Sequence, residues 1–448
     1  MSSQPMPPSP LAPGIIVSAL HSGSGKTAVT CALLAGLSQR GIDVRPFKVG
    51  PDFLDPQYHR IAAGTASQNL DLHLMGLAGI SHTLRRHASD GLAIVEGVMG
   101  LFDGMSPQED DGSTAHLAAL TGWPVILVLD ASGGGRTLAK VTQSLKETTL
   151  PNLAGVVVTK SAGTSHTDYL RAAFSSCGIS LLGSLPKSPL LDWQPRYLGL
   201  TAPSECHTAS PEALAGFANE HLEIDALLDA CQPGKIIPEP APSSPPTRNA
   251  SAQRTVAIAS DDAFHFIYPA WMEWFSDHGF AAVPFSPLND SRPPAHTDAL
   301  FLPGGFPERF AQRLSANQSM RAAIKALILN GKPTYAECGG LMYLTEAIVT
   351  EDEIHAPMCG VLPGISSMSN RLKHFGYCWA GEEQLPGHEF HRSDWTPPST
   401  FFEHAWTVTH RRSGASRQEG AQIANLHASY VHLHPATAGP LVQRILNR

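Results

Sequence analysis

The chain has 448 residues, 42% of them hydrophobic and 16% charged, with 39 Gly and 37 Pro. That is too long for one ordinary hydrophobic core and points to two or three α/β units rich in tight loops. A formal net charge of -8 with no basic run argues against a nucleic-acid partner, because affinity for a phosphate backbone rests on clustered Lys and Arg.

Residues 1–14, MSSQPMPPSPLAPG, are Pro-rich and uncharged and read as a disordered tail without the basic start or apolar run of a signal peptide. No 18-residue apolar stretch follows, so no membrane partner is expected. Cysteines at 31, 177, 206, 231, 338, 359 and 378 form no CxxC pair, which indicates neither a disulfide framework nor a zinc site. A reducing, cytoplasmic location follows as the expectation.

From residue 15 to residue 232 the pattern is that of an α/β domain. Apolar runs recur as GIIVSAL (14–20), LAIVE (92–96), VILVLD (125–130) and LAGVVVT (153–159). Continuous apolar strands imply a parallel sheet buried on both faces, and TAVTCALLAGLSQRG (27–41) reads as a crossover helix closed by Gly41. Between the first strand and that helix lies HSGSGKT (21–27), the setting of a phosphate-binding loop. Ser22, Gly23, Ser24 and Gly25 would turn backbone N–H groups toward phosphate oxygens; Lys26 adds a positive charge and Thr27 a hydroxyl for Mg²⁺. The strict GxxxxGK[ST] pattern is not met, since its first glycine falls on Leu20.

KVGPDFLDP (48–56) then presents Lys48, Asp52 and Asp55, and VEGVMGLFDG (95–104) puts Glu96 where a buried strand opens into a Gly-rich loop. Carboxylates at the C-terminal ends of parallel strands surround the crevice where ligands bind, and an ATP site needs one or two of them for its metal. Asp52 and Asp55 also read as turn residues beside Pro51 and Pro56, and Asp130 reads equally as a strand-end cap or an Mg²⁺ ligand. Lying beside Gly and Pro, the acidic residues are expected to tolerate neutralisation at a stability cost of about 1 kcal/mol.

PGKIIPEPAPSSPP (233–246) carries six prolines and marks a semi-rigid linker over residues 233–252. A second α/β domain follows over 253–448, with TVAIAS (255–260), ALFLPGG (299–305) and PTYAECGG (333–340). In PTYAECGGLMYL a strand leads to Cys338, two glycines and an apolar helix, the arrangement of a nucleophile elbow. The turn exposes the thiol, the helix N-terminus is expected to lower its pKa, and the Gly339 N–H can face an oxyanion. Gly304 and Gly305 of LPGGFPE offer further donors, and HASYVHLHP supplies three candidate bases, His427, His432 and His434.

Taken together, HSGSGKT, KVGPDFLDPQYHR, NLDLHLM, VEGVMGLFDG, FSPLND, LPGGFPE, AECGGLMYL, GHEFHRS and HASYVHLH, in this order, resemble the cobyrinic (or hydrogenobyrinic) acid a,c-diamide synthases. The resemblance covers nearly everything after residue 14 and implies a dethiobiotin-synthetase-like P-loop domain fused to a class I glutamine amidotransferase domain, each a mostly parallel sheet flanked by helices. It implies Cys338 as nucleophile and His432 as base, with His434 the rival. It also implies an ATP site from Ser22 to Thr27 with Lys48, Mg²⁺ on Thr27, Asp52 and Glu96, and activation of the substrate carboxylate by Asp55. The activity implied is amidation of the a and c acetates of a corrinoid polycarboxylate in cobalamin biosynthesis, using ATP and L-glutamine through an acyl phosphate and released ammonia. A homodimer is left open.

Two departures stand out. Thr159 and Lys160 of VVVTKSAG occupy the place of an Asn that reads the nucleotide base in the family, and no Glu flanks Pro435, so a Cys-His dyad is expected. The rival functions are amidation of another polycarboxylate tetrapyrrole, or a MinD-like nucleotide switch with a regulatory C-terminal domain. The switch would have no use for an elbow flanked by glycine donors.

Overall fold

A computed structural model describes residues 10–150, 152–191, 209–235, 254–401 and 403–448. Residues 1–9 of the expected tail and 236–252 of the expected linker lie outside them. The chain divides into two compact units, Met1–Leu72 with Leu77–Pro242, and His73–Gly76 with Ser243–Arg448.

The first unit is built on strands β1 (Leu11–Ala19), β2 (Val44–Val49), β3 (Gln68–Leu70), β4 (Leu92–Glu96), β5 (Val125–Asp130), β6 (Leu153–Ser161), β7 (Leu181–Pro186) and β8 (Gln232–Gly234). Their order is β3-β2-β4-β1-β5-β6-β7, parallel throughout, with β8 antiparallel to β1. Ile15, Ile16 and Val17 on β1, like Val125 to Val128 on β5, are fully buried, as expected of strands covered by helices on both faces. β1 starts at Leu11, which is buried, so residues 11–14 belong to the sheet rather than to a tail. Pro233 and Gly234 likewise belong to β8 and not to a linker; a proline fits there because β8 is a short strand with a single partner.

In the second unit β9 (Arg254–Ala259), β10 (Phe280–Phe285), β11 (Ala299–Leu302) and β12 (Thr334–Glu337) form a sheet in the order β10-β9-β11-β12, continued by Leu426–Ser429 and Ala421–Ile423. Only the last strand runs antiparallel. Two further sheets accompany it, a mixed one of four strands and an antiparallel one of five, both drawn largely from residues 347 to 419. These were not anticipated, because a strand such as Leu385–His391 alternates half-buried and buried positions and carries no continuous apolar run. No helix among the described residues is long and apolar enough to cross a membrane. Cys31, Cys177, Cys231, Cys338, Cys359 and Cys378 are all free of disulfides.

β11 and β12 lie side by side and end at Leu302 and Glu337, which brings LPGGFPE and ECGG to the same edge of the sheet. The helix Gly339–Leu344 crosses so close to β11 that a Cβ on Gly340 would stand 2.1 Å from the Leu302 carbonyl oxygen. Gly340→Ala is therefore expected to destabilise the second unit by roughly 1–3 kcal/mol, the cost of overpacking. The check is an earlier urea midpoint in tryptophan fluorescence, which Trp271, Trp274, Trp379, Trp395 and Trp406 report from this unit.

Candidate active sites

In the first unit the chain leaves β1 at Ala19, turns through residues 21–25 and enters the helix Lys26–Gln39. Gly25 caps that helix at φ 95°, a left-handed conformation that favours glycine. Thr159 on β6 donates its hydroxyl to the Ser24 carbonyl at 2.8 Å and so braces the loop. Lys160, next along the chain, pairs with Asp130 at 2.6 Å. Burial would raise the Asp130 carboxyl, but Lys160 and Ser132 outweigh it and hold it down at about 2. Of the two readings of Asp130, the structure displays the strand-end one.

Behind the loop Lys48, Asp55, His59 and Glu96 form one buried cluster. Lys48 donates to Glu96 Oε1 at 2.8 Å and to the Gly97 carbonyl at 3.0 Å, and stands 2.6 Å from Asp55 Oδ2. His59 Nε2 lies 2.6 Å from Glu96 Oε2, and its Nδ1 lies 3.0 Å from Ser67 Oγ. Burial disfavours charge on both Lys48 and Glu96, yet attraction wins: Asp55 and then Glu96 hold Lys48 above the usual lysine pKa, and Lys48 and then His59 hold Glu96 below the carboxylate range. Asp55 is pushed upward by burial, Asp52 and Glu96. Lys26 donates to the Met99 carbonyl, and burial followed by Lys48 lowers its pKa.

Thr27 Oγ1 donates to Glu96 Oε1 at 2.9 Å and lies 3.3 Å from Asp55 Oδ1. This all-oxygen set suits a hard cation such as Mg²⁺. The expected grouping of Thr27, Asp52 and Glu96 is not what assembles. Asp52 Oδ1 accepts the Leu54 and Asp55 N–H groups at 2.7 and 2.9 Å, so Asp52 opens the helix Asp55–Ala63 as a turn residue, and Asp55 is the carboxylate that reaches Thr27. Among the described residues no three His, Cys, Asp or Glu side chains are arranged to hold a metal alone, so any ion here leans on the Thr27 hydroxyl and the ligand's own oxygens.

In the second unit Cys338 joins β12 to the helix Gly339–Leu344 at φ 45° and ψ -105°, and its N–H donates to the Ser429 carbonyl at 2.7 Å. A left-handed φ on a non-glycine residue is strain of the kind that accompanies a nucleophile elbow. The thiol is not activated by its surroundings alone, contrary to the sequence expectation. Burial raises its pKa first and Glu308 adds to the rise, with only the Gly339 N–H opposing.

His432 is the candidate base seated at the elbow. Its ring packs on Gly304, where a Cβ would meet Cε1 at 2.4 Å, and Gly305 N lies 3.0 Å from the Cβ position of Gly339. His432 Nδ1 faces Glu337 Oε2 at 3.3 Å. Glu337 Oε1 in turn accepts the Tyr335 hydroxyl at 2.8 Å and the Leu433 N–H at 3.2 Å. The carboxylate sought beside Pro435 is thus supplied from the residue before the nucleophile. The signal was a charged residue at the end of the apolar run TYAE. His434 instead caps the last helix through the Ala436 N–H, and His427 stacks with Tyr335 and meets Trp406 edge-on; burial lowers both histidines to about 3. Glu419 was also missed: it accepts Ser429 Oγ at 2.5 Å, the Tyr430 N–H at 2.7 Å and Trp406 Nε1 at 3.1 Å, and so anchors the segment leading to His432.

Residues 15–196 match the family described as CobQ/CobB/MinD/ParA nucleotide binding domain, and residues 255–439 the CobB/CobQ-like glutamine amidotransferase domain. A P-loop unit followed by a Cys-type amidotransferase unit is the class these matches define. A cobyrinate a,c-diamide synthase of Syntrophotalea carbinolica is 37% identical over 442 residues, covering 95% of this chain and 96% of its own length. The enzyme of that name from Listeria monocytogenes is 37% identical over 443 residues, covering 94% and 96%. A hydrogenobyrinate a,c-diamide synthase of Mycobacterium bovis is 38% identical over 453 residues, covering 96% and 97%. This chain belongs to the cobyrinate and hydrogenobyrinate a,c-diamide synthase family.

Glu96 is fully buried and holds three partners, Thr27, Lys48 and His59, so its neutralisation costs more than a strand-end turn residue would. Glu96→Gln is expected to lower stability by roughly 1–3 kcal/mol, measured by urea unfolding, because Lys48 loses part of its buried compensation. Glu337→Gln is expected to reduce glutamine hydrolysis by about 10²-fold in kcat with little change in KM, because the ring of His432 loses the carboxylate that orients it. A drop confined to KM would remove Glu337 from that positioning role.

Proposed function

We propose that this protein converts the a and c acetate carboxylates of cobyrinic or hydrogenobyrinic acid to amides, using ATP and glutamine, as a cytoplasmic step of cobalamin biosynthesis. The observation that carries this reading is family membership along almost the whole chain, with a phosphate loop in one unit and a Cys-His-Glu elbow in the other.

In the second unit Cys338 gives its thiol proton to His432, and the sulfur attacks the side-chain amide carbon of glutamine. The Gly339 and Gly305 N–H groups take the oxyanion, and Gly304 leaves room for His432, which protonates the departing ammonia. Water then hydrolyses the γ-glutamyl thioester to glutamate and restores the thiol. In the first unit a substrate carboxylate oxygen attacks the γ-phosphorus of ATP, giving an acyl phosphate and ADP; ammonia displaces phosphate and leaves the amide. Backbone N–H groups of Ser22 to Gly25 cradle the phosphates, and Lys26 balances the charge on the transferring group, aided by the fixed field of Lys48. Thr27, Asp55 and Glu96 would hold Mg²⁺, which supplies charge neutralisation on the phosphates when bound.

The direct test is mass spectrometry of the products formed from cobyrinic and hydrogenobyrinic acid with ATP, Mg²⁺ and glutamine, in which doubly amidated product is expected. Cys338→Ala should abolish product formed from glutamine and leave that formed from ammonium salts largely intact. Lys26→Ala should lower synthesis with either nitrogen source by about 10²–10³-fold, the cost of one preorganised group that stabilises transition-state charge. Equal loss of both nitrogen sources in Cys338→Ala would overturn the division of labour.

A further inference from the structure

The thiol of Cys338 feels three carboxylates, Glu308, Glu337 and Glu389, in that order of strength. Two of them are committed. Glu337 accepts from Tyr335 and Leu433 and faces His432, and Glu389 is paired with Arg417 while His391 Nε2 lies 3.7 Å away. Arg417 and His391 together hold Glu389 at about 2 despite its burial. Glu308 is the exception: among the described residues its carboxylate makes no ion pair, and beyond its own N–H the charges acting on it are Arg309 and Glu351. Burial pushes it up to about 7.

Its position is fixed by the backbone. Glu308 sits in the short turn Pro307–Phe310, directly after the glycine pair, and Pro307 is so close to the elbow that a Cβ on Gly339 would stand 2.9 Å from Pro307 Cδ. The loop that offers the Gly305 N–H to an oxyanion therefore also carries the carboxylate whose charge acts most strongly on the thiol. Such a group disfavours the thiolate, and a half-buried acid that Arg309 influences but does not pair with is costly to keep charged. A cation brought by the substrate removes both penalties at once. L-Glutamine brings one: with its amide carbon at Cys338 and its amide oxygen at the glycine N–H groups, its α-ammonium lies only a short methylene chain away.

We propose that Glu308 is the specificity-determining residue of the glutaminase site and binds the α-ammonium of L-glutamine. This rests on the reading of Cys338 as the glutaminase nucleophile. Glu308 touches no reacting atom; it selects the donor and, once paired, ceases to oppose ionisation of the thiol beside it.

The experiment compares hydrolysis of L-glutamine with that of glutaramate, which keeps the amide and the carboxylate but lacks the α-amino group, in the full-length chain and in Glu308→Gln. The wild type is expected to prefer glutamine by about 10²-fold or more in kcat/KM, a loss typical of an unpaired buried charge. Glu308→Gln should reduce that preference to within a few-fold by losing activity on glutamine and not on glutaramate. Because both donors are assayed on the same preparation, a partly folded variant alters both rates and leaves the ratio intact. A wild-type preference that survives in Glu308→Gln overturns the assignment. Cys338→Ser assayed beside it separates the two readings: hydrolysis surviving in Cys338→Ser overturns the nucleophile, whereas an inactive Cys338→Ser with an unchanged Glu308→Gln ratio overturns only the role of Glu308.

Discussion

A parallel strand covered on both faces has room for polar chemistry only where it ends, and both sites follow from that constraint. β1 is buried until Ala19 and then releases the phosphate loop; β4 is buried until Glu96 and then opens into Gly97. β11 and β12 repeat the arrangement in the second unit, ending at Leu302 and Glu337 on one sheet edge. Neighbouring strands of equal direction must end at the same edge, so residues far apart in sequence are delivered to one place without any long loop having to search for it.

The two sites treat charge in opposite ways. In the first unit two carboxylates are set against the buried Lys48, one of them held also by His59, so the positions of Asp55 and Glu96 are determined by mutual attraction in a dry environment. Lys26 is the cation whose acceptor is a backbone carbonyl and not a carboxylate, which leaves its charge available to an anionic ligand. In the second unit burial keeps the thiol neutral, and every carboxylate near it works against ionisation. A neutral buried thiol is a poor nucleophile toward anything that arrives by chance, so reactivity is reserved for a donor that changes the local charge.

Much of this was legible in the sequence, and the failures share one cause. The phosphate loop, the elbow at Cys338 and the parallel strands rest on local patterns, and each fell where its pattern placed it. Partnership between side chains is not local. Asp52 and Asp55 look alike in PDFLDP, and only the folded turn, in which Asp52 Oδ1 takes two N–H groups, separates the turn residue from the carboxylate that reaches Thr27. The residues of HASYVHLH leave His427, His432 and His434 open, the resemblance favours His432, and only the fold displays that this one lies against Glu337 and Gly304. The half-exposed antiparallel ladders were missed for a related reason, since strands that pack on one face carry a weaker apolar signal than those buried on both.

Placing the acid of the elbow one residue before its nucleophile bears on the order in which the site comes into being. When β12 forms, Tyr335, Glu337 and Cys338 arrive together as one contiguous piece, and the longest join still to be made is the 95-residue reach from Glu337 to His432. His432 belongs to the two-residue strand that pairs with Leu385–His391, near the end of the chain. A nascent or truncated chain lacking that strand carries the cysteine without its base. With His432 as the proposed base, hydrolytic competence would wait until the C-terminal segment has docked, a long-range contact of the kind that forms late in folding.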